Sequence, residues 1–226
     1  NAMSDLSLIF PESSRSLPAK GQVRVLGIDL GTTNSSVAEI VWDARNKDSI
    51  TARCLEVKQL TIEGDHLHVL VPSVVALLNG KELVGEGAKQ LRARATEAGF
   101  ELYRNIFYDC KNDIGIQRTY HKAPEGYSEA AEISGRVLKF LHDSAVRETG
   151  AFADRVVVTV PASFQAAQRR DTLHAATLAG MKLSGGDLLD EPVAAFLDYI
   201  ITNKGSFSIP TGENRKLLVF DFGGGT

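Results

Sequence analysis

Cysteine is scarce in this chain of 226 residues. The two cysteines, Cys54 and Cys110, lie far apart, and neither belongs to a Cys-x-x-Cys pair. Disulfide frameworks and zinc sites need more thiols at closer spacing. We therefore expect two buried free thiols, as in the reducing environment of the cytoplasm.

Long apolar runs and an excess of positive charge are also missing. No apolar run approaches the ~20 residues of a membrane-spanning helix, and the start lacks the basic-then-apolar order of a secretory signal. The 25 Lys and Arg residues are outnumbered by 28 Asp and Glu, which gives a formal net charge of −3. This charge balance does not favour binding to nucleic acid or to an anionic membrane. We therefore expect a cytoplasmic protein with neither nucleic acid nor membrane as a partner.

The composition that is present is that of a globular protein. Hydrophobic residues make up 43% of the chain and charged residues 23%, which allows a core to form by packing alone. Asn1 and Ala2 precede Met3 and look like a cloning scar. Together with the Ser- and Pro-rich stretch that follows, residues 1–22 are predicted to be a scar and a flexible tail.

Strand and helix patterns occur together and indicate an α/β protein. Apolar runs at residues 23–28 and 37–42 predict a hairpin with the sequence GIDLGTTNS at its tip. The β-branched run at residues 156–164 predicts a central strand buried on both faces. Residues 95–127 have no clean period and predict no element. Further strands are predicted at residues 54–60, 67–71, 71–78 and 217–222, and helices at residues 85–94, 128–148, 165–179 and 190–201.

The triplet Asp-x-Gly ends two of the apolar strands, at Asp29 and at Asp221. Glycines let backbone N–H groups approach phosphate oxygens, nearby Thr hydroxyls add donors, and carboxylates hold Mg²⁺ through its waters. Two such strand ends facing each other across a cleft could hold one polyphosphate and its metal. Each element by itself fits a plain turn or a solvated strand end equally well.

Four motifs follow one another in order: GIDLGTTNS, VPASFQAAQRRDT, LLDEPVAAFLDY and VFDFGGGT. In sequence, order and spacing they resemble the nucleotide-binding domain of the heat shock protein 70 chaperones of the DnaK type. The resemblance covers residues 23–226 and is loosest at residues 95–127. It implies a ribonuclease-H-like lobe of the actin and hexokinase type, in which helices flank a mixed sheet. The implied division is a main subdomain at residues 23–72 and 128–214, an inserted α/β subdomain at 73–127, and the first strand and phosphate loop of a truncated second lobe at 215–226.

The resemblance also implies the ligands, ATP or ADP with Mg²⁺, and the residues that bind them. Asp29 and Asp221 would hold Mg²⁺ through water and take part in catalysis. The phosphate-binding positions would be Gly31, Thr32, Thr33 and Asn34 in the first loop and Gly223, Gly224, Gly225 and Thr226 in the second.

Four further residues match positions with other roles in the family. Glu191 would position the attacking water, although the residue before it is Asp190 where the family has Asn. Lys111 would supply positive charge beside the γ-phosphate, in a segment that resembles the Asp-Ala-Lys of the family. Pro161 and Arg169 match residues that couple nucleotide state to the substrate-binding domain.

The function that the resemblance implies is that of an ATP-hydrolysing chaperone domain. Its partners would be unfolded client polypeptides, bound through a further domain, and J-domain and nucleotide-exchange co-chaperones. Actin-like filament-forming proteins are the alternative, because they share the first loop, the Glu-Pro-x-Ala-Ala segment and the Gly-Gly-Gly-Thr loop. Sugar kinases share only Asp-x-Gly-Thr-Thr. The Pro-Ala-x-Phe-x-x-x-Gln-Arg pattern at residues 161–169 favours the chaperone, and this truncated chain by itself is expected to be inactive.

Overall fold

The computed structural model describes residues 21–43, 45–202 and 218–219. Nearly all of the predicted tail and most of the predicted last strand lie outside these residues. Asp221 and the second glycine-rich loop also lie outside them, namely Gly223, Gly224, Gly225 and Thr226. Gln22, which the sequence placed in the tail, is already the first residue of a strand.

Eight strands come first in the described chain, and helices and strands are interspersed after them. The strands are β1 (Gln22–Asp29), β2 (Asn34–Asp43), β3 (Asn46–Cys54), β4 (Val57–Thr61), β5 (Gly64–His68), β6 (Val71–Pro72), β7 (Val75–Leu78), β8 (Lys81–Val84), β9 (Ile106–Phe107), β10 (Arg155–Val160) and β11 (Leu188–Asp190). The helices are α1 (Glu86–Ala93), α2 (Ala95–Ala98), α3 (Ala130–Thr149), α4 (Ala166–Leu178) and α5 (Glu191–Thr202).

The main sheet is mixed, with the strand order β11-β10-β1-β2-β3 and with β6 added to β2. β1 to β3 form an antiparallel meander, whereas β10 is parallel to β1 and β11 is parallel to β10. The carboxyl ends of β1, β10 and β11 therefore meet at one edge of the sheet. That edge is where the chain carries its candidate site.

Helices flank this sheet and close its core. α3 packs against β1 and β2 and crosses α4, while α5 contacts β10 and β11. The two helices approach closely at Gly135, where an added Cβ would lie 3.0 Å from the carbonyl oxygen of Ala175. Leu26, Ile28 and Leu138 lie in the core and are almost wholly buried. Among the described residues, no helix is long and apolar enough to cross a membrane.

Two smaller sheets stand beside the main one. β4 and β5 form a hairpin, and β7 pairs with β8 and β9 in a three-stranded sheet. α1 packs against β4 and β7. A separate apolar cluster forms here from the buried side chains of Val74, Ala76, Ala88, Leu91, Phe100 and Ile106.

The periodic parts of the sequence form the elements that they predict. β1 and β2 are the predicted hairpin, paired from Gln22 with Asp43 to Asp29 with Ser36. The helices expected at residues 85–94, 165–179 and 190–201 are α1, α4 and α5, within two residues at each end. The helix expected from Ser128 starts at Ala130.

Three strand predictions are wrong in position. The run at residues 71–78 is two strands, because Pro72 has no N–H to donate and the N–H of Ser73 turns away to the carbonyl of Thr33, at 2.9 Å. The strands expected at residues 54–60 and 67–71 are displaced to β4 and β5, whose pairing is set by the turn that ends at Gly64. β3 has a largely polar sequence and was not predicted.

Two burial predictions are also wrong. β10 is central, but only Val158 and Val160 on one of its faces are buried, and Thr159 on the other face is partly exposed because it lines an open cleft. Cys54 is exposed, since it ends β3 at the edge of the sheet. Cys110 is buried as expected, and both thiols are free.

The stretch without a period, residues 95–127, combines short backbone turns with stacked aromatic side chains. Tyr103 stacks on Tyr120 with ring centroids 4.3 Å apart, and Phe107 lies 6.4 Å from Tyr120 and 5.6 Å from Tyr127. Arginines close both ends of this aromatic stack, Arg118 over Tyr103 and Arg136 of α3 over Tyr127. Such contacts leave no periodic signal in the sequence, which is why this stretch predicted no element.

A buried carboxylate holds the short strand β11 beside β10. Asp187, only 2% exposed, accepts hydrogen bonds from the N–H and hydroxyl of Ser184 and from Nε of Arg155, at 2.7–2.9 Å. The Arg155 guanidinium also donates to the carbonyl of Gly186. Burial acts to raise the pKa of the Asp187 carboxyl, but the bonds from Ser184 and Arg155 outweigh it and lower the pKa below its ordinary value of 3.8.

The turn between β1 and β2 requires glycine at position 31. A Cβ built there would lie 2.0 Å from the carbonyl oxygen of Asn34, so the backbone would have to move. We expect Gly31→Ala to lower the free energy of unfolding by about 1–3 kcal/mol, as an overpacked site does. Gly27→Ala in β1 is the matched control, because an added Cβ meets nothing within 4 Å. Urea unfolding measures both, and equal stabilities of the two variants would contradict the close approach.

Replacing Asp187 by Ala should destabilise the chain by about 2–3 kcal/mol, less than for a fully buried pair because Arg155 stays partly exposed. The control is Asp143→Ala, which removes an exposed pair with Lys139 and should cost under about 1 kcal/mol. Because the folded-state pKa of Asp187 is lowered, its contribution is complete above pH 3.8 and is lost as the pH falls through that lower pKa. Urea titrations should therefore show the gap between wild type and variant closing only in that acidic range, and a constant gap would contradict the linkage.

Candidate functional site

An open cleft of about 1070 Å³ lies at the edge of the sheet where β1 and β10 end. Its walls come from the loop after β1, the segment around Lys111, the residues after β10 and the first turns of α5. The sequence-predicted residues that line it are Asp29, Gly31, Thr32, Thr33, Asn34, Lys111, Pro161 and Glu191. The fold therefore brings together residues that lie up to 162 positions apart in the chain.

Asp29 is the last residue of β1 and stands opposite Thr159 of β10 in the parallel register. The Thr159 hydroxyl donates to Oδ1 of Asp29 at 2.8 Å. Asp29 itself is exposed, so its carboxylate is oriented by Thr159 and open to the cleft. Sequence reasoning missed Thr159; a polar residue near the end of the β-branched run, in a strand predicted to lie beside β1, was the available signal.

The loop that follows β1 is tied down by two buried serines that sequence reasoning also missed. Ser35 and Ser73 both bond to the backbone of Gly31, and the N–H of Ser73 donates to the carbonyl of Thr33. Thr33 is exposed and Thr32 half-buried. The loop thus has a fixed backbone and presents its threonine side chains on the cleft side.

Lys111 and Glu191 form an ion pair across the cleft floor. Nζ of Lys111 lies 3.0 Å from Oε1 of Glu191, and their side chains are only 10% and 23% exposed. The ammonium group is also 5.6 Å from the ring centroid of Phe164. A charge in such surroundings is costly unless it is paired. The pair therefore holds a cation and a carboxylate together at the site.

Lys111 lies in a short 3₁₀ turn, Cys110–Asp113, which packs against α3 and is hydrogen-bonded to the aromatic stack through Tyr120. Asp113 accepts hydrogen bonds from Arg118 and from the Tyr120 hydroxyl, at 2.9–3.0 Å. The N–H of Gly115 donates to Asp171 of α4 at 3.0 Å. Gly115 has φ +81, and a Cβ there would lie 2.5 Å from Cγ of Gln168. The turn therefore presents Lys111 from a supported backbone.

Cys110, the neighbour of Lys111, has its side chain in the core. Burial raises the pKa of its thiol to about 12, so the thiol is neutral at physiological pH. A thiol of that kind is a poor nucleophile, and Cys110 packs rather than reacts.

Pro161 and Arg169 lie next to this site in different ways. Pro161 lines the cleft, and its carbonyl accepts the N–H of Phe164 at 2.9 Å. Arg169 does not line the cleft; its guanidinium donates to the carbonyl of Phe164 and to the carboxylate of Asp190, beside Glu191. Asp190 is thus paired with Arg169.

In the part of the chain that the structure describes, no group of three His, Cys, Asp or Glu side chains could hold a metal ion directly. Mg²⁺ keeps several of its waters and needs only one or two carboxylates. Asp29 in the cleft meets that weaker requirement, while Asp221 lies outside the described residues.

Comparison with known proteins identifies the family of the chain. The family model described as Hsp70 protein matches residues 101–226, which is more than half of the chain. "Chaperone protein DnaK" of Metamycoplasma hominis is 36% identical over 202 residues, covering 89% of this chain and 29% of that protein. The proteins of the same name in Mesomycoplasma hyopneumoniae strain J and Ureaplasma parvum serovar 3 are 34% identical over 202 residues, with 28% of each covered.

The chain thus spans less than a third of the length of these relatives. The matched part nevertheless includes Lys111, Pro161, Arg169 and Glu191. The resemblance noted in the sequence is confirmed, and this chain belongs to the Hsp70 protein family.

Proposed function

We propose that this chain is part of the ATP-binding and ATP-hydrolysing domain of an Hsp70-type molecular chaperone that assists protein folding. The observation that carries the proposal is the convergence on one cleft of the Asp29 carboxylate, the threonine loop and the Lys111–Glu191 pair. The names of the relatives, which are chaperones, favour this function over that of an actin-like filament-forming protein.

The cleft suits a polyphosphate with Mg²⁺. Because Gly31 has no Cβ, the chain can turn tightly after β1, and Thr32 and Thr33 of this loop offer hydroxyl donors to the cleft. Asp29 would hold the water shell of Mg²⁺. Bound Mg²⁺ would neutralise charge on the phosphate oxygens. Asp221, Gly223, Gly224, Gly225 and Thr226 would meet the same phosphates from the second lobe.

The reaction we propose is in-line attack of water on the γ-phosphorus of ATP. A bond forms from the water oxygen to phosphorus, the bond to the β-phosphate oxygen breaks, and ADP and inorganic phosphate leave. Glu191 would accept a hydrogen bond from the attacking water and so orient it. Lys111 would stabilise the negative charge that spreads over the transferring group. Because Nζ of Lys111 and Oε1 of Glu191 lie 3.0 Å apart, the oriented water and the stabilising cation would be side by side in the cleft.

The topology supports a ribonuclease-H-like lobe. An antiparallel meander, β1 to β3, is followed by β10 and β11 parallel to β1, in the order β3-β2-β1-β10-β11. The three-stranded sheet of β7, β8 and β9 has its own apolar cluster, which supports an inserted subdomain at residues 73–127. We also propose a main subdomain at residues 23–72 and 128–214, which contains the larger sheet. A second lobe from residue 215 stays a prediction of the resemblance, because nearly all of that segment lies outside the described residues.

We also propose that the nucleotide state of this domain is coupled to a peptide-binding domain. Unfolded client polypeptides, J-domain co-chaperones and nucleotide-exchange co-chaperones would be the partners. Arg169 and Pro161 suit a coupling role because they adjoin the water-orienting residue: Arg169 pairs with Asp190, and Pro161 and Glu191 line the same cleft.

Removal of the Lys111 charge tests the proposed chemistry. In the full-length protein we expect Lys111→Met to lower the single-turnover rate of ATP hydrolysis by roughly a hundredfold or more, because one preorganised charge at the transferring phosphoryl group is lost. Lys139→Met is the matched control, since Lys139 is an exposed lysine on α3 paired with Asp143. The assignment fails if Lys111→Met and Lys139→Met hydrolyse ATP at the same rate as wild type.

This 226-residue chain by itself should bind Mg-ATP very weakly and should not turn it over. The proposed second lobe would supply the other half of the phosphate contacts and the adenosine contacts. Calorimetric titration of the chain with Mg-ATP measures the affinity, and a dissociation constant in the micromolar range would refute the expectation.

A further inference from the structure

The peptide groups of Gly31 are enclosed by the hydroxyls of two serines. The N–H of Gly31 donates to Oγ of Ser35 at 3.2 Å, and Oγ of Ser73 donates to the carbonyl of Gly31 at 2.7 Å. The two hydroxyl oxygens lie 2.8 Å apart. Together these contacts close a ring of three hydrogen bonds, which we call the serine ring, defined by Gly31, Ser35 and Ser73.

The direction of every bond in the serine ring follows from the number of protons. A hydroxyl has one proton to donate, and a carbonyl oxygen can only accept. The proton of Ser73 is therefore used on the carbonyl of Gly31, so Ser35 must donate to Ser73. Ser35 in turn accepts the N–H of Gly31. All three protons point the same way around the ring, an arrangement in which each bond strengthens the next.

Water has little access to replace these bonds. Ser35 is 1% exposed and Ser73 is 9% exposed. The cavity behind the loop, lined by Gly31, Thr32, Ser73 and Cys110 among others, has a volume of about 10 Å³, which is room for one water at most. Opening the ring would thus leave buried polar groups without full partners.

The two serines come from different elements. Ser35 belongs to β2, while Ser73 stands between β6 and β7, at the first residue of the proposed inserted subdomain. Ser73 also donates its N–H to the carbonyl of Thr33. One residue from outside the hairpin therefore holds the loop at two points, on either side of Thr32.

We propose that Ser35 and Ser73 are positioning residues that fix the Gly31 peptide and thereby aim Thr32 and Thr33 at the phosphates of a bound nucleotide. The role of the loop rests on the proposed function, whereas the serine ring does not. Loss of either hydroxyl weakens recognition of the phosphate chain and leaves recognition of adenosine unchanged.

The first experiment measures hydrogen exchange of the Gly31 amide by NMR in this 226-residue chain. Ser73→Ala should speed exchange at Gly31 roughly tenfold, since one buried hydrogen bond of the ring is lost. The amide of Ile28, within β1, should keep its wild-type rate. Ser144→Ala is the control, because it removes another buried serine hydroxyl in α3. Unchanged exchange at Gly31, or equal acceleration at Gly31 and Ile28, would overturn the proposal.

Two further variants separate positioning from stability. Ser73→Thr keeps the hydroxyl and should show the slow Gly31 exchange of the wild type. Ser73→Val, which is isosteric with the Thr variant but lacks the hydroxyl, should show the fast exchange of Ser73→Ala. Where Ser73→Ala does not fold, Ser35→Ala opens the same ring from its other side and carries the same expectation. Equal exchange in the Thr and Val variants would show that the hydroxyl is irrelevant.

The second experiment uses the full-length protein and compares ADP with adenosine. Ser73→Ala should weaken ADP binding roughly tenfold with adenosine affinity unchanged, and Ser73→Thr should recover ADP binding. Equal losses for both ligands would count against positioning. If wild type binds no ATP or ADP, the proposed function fails, while the exchange experiment still decides whether the serine ring fixes Gly31.

Discussion

The parallel register between β1 and β10 is the constraint on which the site depends. It sets Asp29 beside Thr159 and puts the ends of two strands at the same edge of the sheet. β11 extends the same edge and delivers Glu191 directly after its last residue. Because side chains alternate along a strand, a slip of one residue would turn these groups to the opposite face. The backbone ladder therefore decides which side chains share the cleft.

The Lys111–Glu191 pair depends on this scaffold and also constrains it. Its members are 80 positions apart and come from a short turn and from the start of a helix. Neither charge is well solvated, so each is tolerated because the other is near. The 3₁₀ turn that carries Lys111 is itself oriented by the hydrogen bonds of Asp113 and by the bond from Gly115 to α4. Chemistry and fold are thus coupled through one partly buried charge pair.

Sequence reasoning succeeded where a local pattern carries the information. The hairpin, the main helices and the residues of the first loop follow from alternation, caps and glycines, which act over a few positions. Lys111 could be predicted only from resemblance, because ring stacking holds its surroundings and leaves no period. Ser35, Ser73 and Thr159 were missed, since their importance arises from partners up to 130 positions away.

The errors have the same origin. An apolar run at residues 71–78 predicts one strand, yet Pro72 and the bond from Ser73 to the first loop divide it. Cys54 was expected to be buried because cysteines usually are, but it ends an edge strand. In both cases the tertiary arrangement, which the local sequence does not show, decided the outcome.

An aromatic stack from Tyr103 to Tyr127, with Arg118 and Arg136 at its ends, supports the turn that carries Lys111. Rings have few rotatable bonds, and stacked rings lose most of that freedom when the chain folds. The conformational entropy of placing the Lys111 cation is therefore lost during folding, before any ligand arrives. The nucleotide that we propose for this cleft would meet the Lys111 cation already in position, at a smaller cost in conformational entropy.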